Sequence, residues 1–493
     1  MTLSENQDFT GDLSVYTGSE VVHSSYPPGA LQSVDFRLFP LAADSVDELQ
    51  GMMKLLRVQA PKNPDFRALS QKWFEVYQKR PSARLALMLV GNDAVELTRE
   101  IDFAVSGVPA AVEKKIDWQT PLGSFFTPAP IGRDGEICFV YPGAFNSYVG
   151  LGRSLFRLFP QILEWMRPIA SDLDYVFCVR YLYPPDLDTL TKEQIAQLDA
   201  ELTEDAVAMM TSGMAFSVVY TFILQRIFKV QAQSAMGYSL GEMSMMFATG
   251  VWADGDRASR ALGDSPLFAD QLAGPMNAVR QAWGMPAEKS GTSADLWANY
   301  VLMVAPEKAR EALKGVKKVY LTHVNTPRQV VIGGDPAECR QVIDALKCSS
   351  LKAPFSYALH CDPMKSAYEG FRRLNVQPIQ RWPEMRLYAA NDYGEFHPEP
   401  QEIAHKVSHS LCVPLDFPRL VKVAYDDGAR IFIEVGAGGN CSKWIDDSLR
   451  GQPALAMSIN RKGIDDAVAL IRSLARLASH RAQVDLSPLY SLE

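Results

Sequence analysis

Ser239 sits between two glycines in the stretch Ala235-Met236-Gly237-Tyr238-Ser239-Leu240-Gly241-Glu242. A glycine two residues to either side of a serine lets the backbone crowd through a strained turn. The hydroxyl is then held above a sheet, and the following N–H, that of Leu240, points at the same spot. The chemistry such a turn supports is attack on an acyl carbon through a serine ester, with the backbone N–H as one oxyanion donor. The same five residues also describe an ordinary glycine-flanked turn, so the pattern needs a strand before it and a helix after it. Phe228-Lys229-Val230-Gln231-Ala232 reads as a short strand, and Met243 to Ala248 has helical spacing that stops at Gly250.

A serine hydroxyl is a weak nucleophile near neutral pH and requires a positioned base, most often histidine. Of the seven histidines, His23 and His480 fall in terminal segments, and His397 lies in the polar loop Glu395-Phe396-His397-Pro398. His405 and His409 share one face of a polar helix, and His323 ends a strand. His360, in Tyr357-Ala358-Leu359-His360-Cys361-Asp362-Pro363, is the best placed, although spacing does not by itself select it. The i, i+4 pair His405 and His409 also has metal-ligand spacing, but no H-E-x-x-H accompanies it and a solvated helix face explains it as well.

The elements that must position these residues follow from composition and periodicity. The 493-residue chain is 47% hydrophobic, enough for two to four globular domains. Its net charge of −8, with no basic stripe or aromatic platform, argues against nucleic acid. The longest apolar run, Met214 to Leu224, is too short to span a bilayer, so no membrane is expected. Met1-Thr2-Leu3-Ser4-Glu5-Asn6 is unlike a secretory leader, and a cytoplasmic location is the expectation. Seven scattered cysteines without a C-x-x-C pair suggest neither a disulfide framework nor a zinc site.

Residues 1–33 read as a flexible arm. Residues 34–130 read as a small α/β domain: strands at Phe36 to Leu41 and Ala83 to Gly91, helices at Ser45 to Arg57, Phe66 to Arg80 and Asp93 to Ser106, then a connector over 108–134. A larger unit, 131–298 and 355–480, opens with the strand Glu136 to Tyr141 and continues through a long buried helix, Thr203 to Phe228. Strands alternating with helices predict a mainly parallel sheet with ligands beyond its carboxyl ends. Residues 299–354 read β-α-β-β-α-β, a ferredoxin-like unit inserted into the larger one, with a cleft expected between the two. The fold class expected is thus α/β: an α/β-hydrolase-like large subdomain, a ferredoxin-like insert and an N-terminal α/β linker domain.

From about Phe36 to Ala475 the chain resembles the linker-plus-acyltransferase module of type I polyketide and fatty acid synthases, the family of malonyl-CoA:acyl-carrier-protein transacylase. Phe139-Val140-Tyr141-Pro142-Gly143 resembles that family's opening F-V-F-P-G, and Gly237 to Glu242 its G-H-S-L-G-E, with Tyr238 for His. Val324-Asn325-Thr326-Pro327-Arg328-Gln329-Val330-Val331-Ile332-Gly333-Gly334, Tyr357-Ala358-Leu359-His360 and Phe432-Ile433-Glu434-Val435-Gly436-Ala437-Gly438 resemble the motifs that follow, in order. The resemblance implies Ser239 as nucleophile, His360 as base oriented by a backbone carbonyl, and an oxyanion hole from the N–H groups of Leu240 and Ala144. Ala144 stands where the family usually has Gln. It implies acyl-CoA or a phosphopantetheinyl carrier protein as substrate, no cofactor, and acyl carrier protein and ketosynthase domains as partners. Tyr238, Ser212, Asp264, Asn325, Tyr357 and Leu359 are the positions it places around the substrate.

Departures from the family bear on substrate. Malonyl-type members carry an Arg about twenty-five residues beyond the serine that grips the substrate carboxylate in a two-pronged pair. An ungapped count from Ser239 reaches Asp264, with Arg257 and Arg260 on preceding turns, and the family Gln on the buried helix is Ser212. An acid in that place would repel a dicarboxylate. An uncharged acyl group is therefore expected, with Met243, Met245, Met246 and Phe247 as apolar neighbours or as ordinary core. Gly-Tyr-Ser-Leu-Gly-Glu-Met-Ser-Met-Met resembles the acyltransferases of bacterial polyunsaturated fatty acid synthases most. The alternatives are a thioesterase on the same elbow and an inactive docking module. Gly436-Ala437-Gly438-Gly439 lacks the spacing of a dinucleotide fingerprint.

Overall fold

The computed structural model describes Leu31, residues 34–289 and residues 296–490. Of the arm expected over 1–33, all but Leu31 lies outside the described residues, as does His23. The first module is a four-stranded antiparallel sheet of β1 (Arg37–Ala43), β2 (Leu85–Gly91), β3 (Trp118–Gln119) and β4 (Phe125–Phe126), in the order β1-β2-β4-β3. Alternate residues of β1 and β2 serve two cores. Phe39, Leu41, Leu87 and Leu89 pack under the module's own helices, Val46–Gln59, Phe66–Gln78 and Ala94–Lys114. Leu38, Ala86, Met88 and Val90 face the main core, where the helix Asp466–Ser479 runs against the sheet. Period-two alternation with both faces buried explains why these strands read as unbroken apolar runs. The helix expected to stop at Ser106 continues through Pro109 to Lys114. The connector expected over 108–134 is accordingly shorter and holds β3 and β4.

The chain then enters β5 (Glu136–Tyr141) and β6 (Ser234–Gly237), followed by β7 (Ala298–Leu302), β8 (Val319–Thr326), β9 (Gln329–Gly334) and β10 (Ser350–Lys352). It returns through β11 (Arg386–Tyr388), β12 (Leu415–Asp416), β13 (Ala429–Glu434) and β14 (Leu455–Ser458). The central sheet, β11-β6-β5-β13-β14, is parallel throughout. The second sheet, β10-β7-β9-β8, has the ferredoxin-like order, and its far edge is extended by β12, which pairs with β8 in parallel. That added strand comes from the chain after the insert.

Two local expectations are corrected. The strand leading to the serine is Ser234–Gly237, not Phe228 to Ala232. The long buried helix is Ala206–Phe222, capped by the Asp205 side chain on the N–H of Ala208 and closing in a π turn at Ile223–Ile227. Ala206–Ile227 is apolar and long enough to cross a membrane, yet 89% of its most apolar window is buried inside the fold.

Candidate active site

Ser239 stands at the carboxyl end of β6, where the helix Gly241–Ala248 begins. Its φ is +56°, a left-handed conformation that costs a non-glycine residue on the order of 1–3 kcal/mol. The neighbours enforce it. A Cβ at Gly237 would collide with the backbone of Gly241 and Glu242, and one at Gly241 with the carbonyl oxygen of Tyr141. The Tyr238 N–H donates to Tyr141 O (2.9 Å), and the Gly241 N–H returns to Tyr238 O (2.9 Å).

His360 meets this turn from the far end of the sequence. Ser239 Oγ lies 2.7 Å from His360 Nε2, and His360 Nδ1 lies 2.7 Å from the carbonyl oxygen of Ser410. A carbonyl only accepts, so Nδ1 carries the proton and Nε2 is left as the acceptor for the serine hydroxyl. The strap holding His360 is pinned by three contacts. Asn299 Nδ2 donates to Tyr357 O (3.0 Å), the Ala358 N–H to Leu272 O (3.2 Å), and the Cys361 N–H to Leu411 O (3.2 Å). Ser410 is the last residue of the helix Pro400–Ser410, which also carries His405 and His409. That helix is not the polar one expected, since Ile403, Ala404, Lys406, Val407 and Ser408 are buried. Burial pushes the His360 imidazole down to about 4, so the ring is neutral near pH 7.

Behind the dyad is a ring stack that the sequence did not signal. His323 is half-buried within β8 rather than ending it, and its ring meets His360 edge-on with centroids 4.7 Å apart. Tyr238 stacks on His323 at 5.6 Å and donates its hydroxyl to Asn325 Oδ1 (2.7 Å). Glu242 is fully buried, with Oε1 accepting the Ala390 N–H (2.8 Å), and burial raises its carboxyl to about 8.

In front of the dyad is a cavity of about 620 Å³. Ala144, Ser239, Leu240, Tyr357, Leu359 and His360, all named from the sequence as site positions, line it. The N–H groups of Leu240 and Ala144 make no hydrogen bond within the described residues. The remaining wall was not foreseen: Phe145, Phe268, Leu272, Phe371, Val407 and Leu411, with Met210 and Met243. Phe145 stacks on Phe355 at 4.4 Å and on Tyr357 at 5.3 Å. Among the described residues no Lys, Arg, Asp or Glu lines the cavity, and none of those lining it belongs to the insert 299–354. The cleft expected between the two units is therefore a cavity within the larger one, with the insert acting from behind through Asn299 and His323.

Several positions assigned to the substrate do not line this cavity. Asp264 is exposed at the C-terminus of the helix Gly255–Gly263, whose buried residues are Gly255, Ser259 and Leu262. Arg257 and Arg260 are exposed as well. The ungapped count landed on the outward phase of that helix, and the ring that reaches the cavity from this part of the chain is Phe268. Ser212 Oγ lies 2.8 Å from Ser147 Oγ and donates to Ala208 O (2.7 Å), tying the buried helix to the loop after Ala144. Tyr238 and Asn325 pair with each other behind His360. Met245 and Met246 are core, and only Met243 of that run lines this cavity.

No family model matches the chain. It is 24% identical over 494 aligned residues to a polyunsaturated fatty acid synthase polypeptide of Thraustochytrium sp. (strain ATCC 26185 / S-3), an alignment covering 92% of this chain and 24% of that protein. The chain thus spans about a quarter of that relative's length. Among solved structures it is similar to the acyltransferase domain from module 8 of the salinomycin polyketide synthase. The TM-score is 0.69 at 17% identity, covering 92% of this chain and 98% of that one. It is similar also to the malonyl-transacylase solved with a type II polyketide synthase acyl-carrier protein, with TM-score 0.52, 19% identity, 69% of this chain and 99% of that one.

Proposed function

We propose that this chain, which has the fold of the acyltransferase domains of polyketide synthases, moves an uncharged acyl group from a thioester to a carrier thiol through an ester on Ser239. The observation that carries this reading is the pair of 2.7 Å contacts, Ser239 Oγ to His360 Nε2 and His360 Nδ1 to Ser410 O, opening on a cavity without ionised side chains. His360 Nε2 takes the hydroxyl proton as Oγ bonds to the thioester carbon, and the oxyanion lies toward the N–H groups of Leu240 and Ala144. The C–S bond then breaks and the proton passes from Nε2 to the leaving sulfur. In the second half the acceptor thiol gives its proton to Nε2, its sulfur takes the acyl carbon, and Oγ recovers the proton.

The donor's character follows from the wall. A malonyl carboxylate in this cavity would meet Phe268, Phe371 and Leu411 with no cation to pair it, a desolvation penalty of several kcal/mol. The donor and acceptor carriers are CoA or an acyl carrier protein. Hydrolysis is the second reading, and the half-buried position of Ser239 favours it, because water has access to the ester. Intact-protein mass after incubation with malonyl-CoA, acetyl-CoA and longer acyl-CoAs, for wild type beside Ser239→Ala, tests the proposal. An adduct from uncharged donors that is absent in the variant is expected. Equal loading by malonyl would overturn the substrate class, and free acid released at the same rate with and without carrier protein would favour hydrolysis.

A further inference from the structure

We infer that a second cavity, behind the first, seats the distal hydrocarbon of the acyl group, so that the donor is a long-chain acyl thioester; the inference rests on the acyl-transfer reading above. This cavity, of about 360 Å³ including space open to solvent, is lined by Met166, Val176, Thr211, Met214, Phe247 and Ala258 among others, and no ionisable side chain among the described residues lines it. Its position relative to the dyad is what gives it meaning.

The two cavities share three walls. The helix Ala206–Phe222 gives Met210 to the first and Thr211 and Met214 to the second. The helix Gly241–Ala248 gives Met243 to the first and, one turn further, Phe247 to the second. Residues 255–272 give Ala258 to the second and Phe268 and Leu272 to the first. One helical turn advances about 5.4 Å, so the cavities lie in succession along the same two helices, leading away from Ser239. Met210 and Met243 line the first cavity and Met214 the second. Methionine is unbranched with three rotatable side-chain bonds, so rotamer changes there would join the two with no movement of backbone. Polarity falls along the same path: the first cavity holds Ser239 and His360, the second only the hydroxyls of Thr211 and Ser259. An alkyl chain esterified to Ser239 would thus run from the dyad past the methionines into an apolar end chamber.

Filling the end chamber tests this. Ala258→Phe lies outside the catalytic dyad and the first cavity, and is expected to leave octanoyl loading of Ser239 unchanged while slowing palmitoyl loading about tenfold or more. Equal rates for the two donors in wild type, or equal slowing of both in a folded variant, would overturn the inference. A second measurement needs no turnover. Ser239→Ala protein is irradiated with palmitoyl-CoA bearing a diazirine at its terminal carbon, and the labelled residues are mapped by mass spectrometry. Label on Met166, Met214 or Phe247 is expected, whereas label confined to the first cavity or the surface would overturn the end chamber. The two readings fail separately. Label in the end chamber without acyl-enzyme from any donor would remove the transfer reading and keep the chain-binding site, and acyl-enzyme without such label would do the reverse.

Discussion

On one side of the first cavity, Gly237 and Gly241 leave no room for a single added carbon, and Ser239 is held at φ +56° by hydrogen bonds to Tyr141 and within the turn. On the other side, residues 255–272 form a short helix, an exposed cap at Asp264 and a π turn at Leu267–Gln271, and they touch the cavity through two apolar side chains. The first region is fixed by backbone against backbone, where any change collides. The second is fixed by the rotational phase of one helix and by side chains that can be exchanged. On the proposed reading, the contrast separates what makes the chemistry possible from what selects the acyl group.

The sharpest test of the first region is removal of its reacting groups. Ser239→Ala should abolish the acyl-enzyme, and His360→Ala should slow its formation about 10⁴-fold or more, by intact mass and single-turnover rates. A small residual loss in either case would place the chemistry elsewhere.

A pair of glycine substitutions breaks or sustains the comparison through stability. Gly241→Ala forces a carbon onto the Tyr141 carbonyl and should cost about 3 kcal/mol or more, read as a lowered denaturation midpoint. In the facing segment, a Cβ at exposed Gly263 would lie 3.1 Å from the hydroxyl of half-exposed Tyr175, which can give way. Gly263→Ala should therefore stay within about 1 kcal/mol of wild type. Equal effects would mean that the turn is no more constrained than its surroundings.

Donor selection should respond only to the facing segment. Phe268→Arg, which brings a cation to the wall, should raise malonyl loading about tenfold, whereas Asp264→Arg should leave it unchanged because that side chain is exposed and outside the cavity. Competition between malonyl-CoA and an uncharged donor measures both. An effect at Asp264 would restore the clamp position reached by counting from the serine.

The smallest effect is in pH dependence. His360 must be neutral to accept the serine proton, so acyl-enzyme formation should be level through neutral pH and fall only as pH drops toward about 4. Its lowered value also enters stability: the contribution is complete above its ordinary 6.5 and is lost as pH falls to about 4, because the unfolded chain takes up the proton first. Glu242 has the opposite sign. Its carboxyl is raised from 4.5 to about 8, so its contribution is complete below 4.5 and lost as pH rises through 8. Glu242→Gln should flatten the fall in denaturation midpoint between about pH 4.5 and 8, and an unchanged fall over that range would assign it to another group.

The sequence by itself determined the features that a few neighbouring residues can encode. Glycines at 237 and 241 specify a turn that admits no side chain, apolar runs specify buried strands, and the order β-α-β-β-α-β specifies the insert. Those are backbone properties, legible because the steric rules act over a few residues. Only the tertiary structure decided which side chains converge. The helix carrying Asp264 could not be phased from a count of positions, so an exposed acid stood in for the ring of Phe268. Neither Ser410, which orients His360 across fifty residues, nor His323, which backs it from another sheet, had any local signal. The wall and the end chamber depend on which faces of three segments meet, and that is settled by packing among residues far apart in the chain.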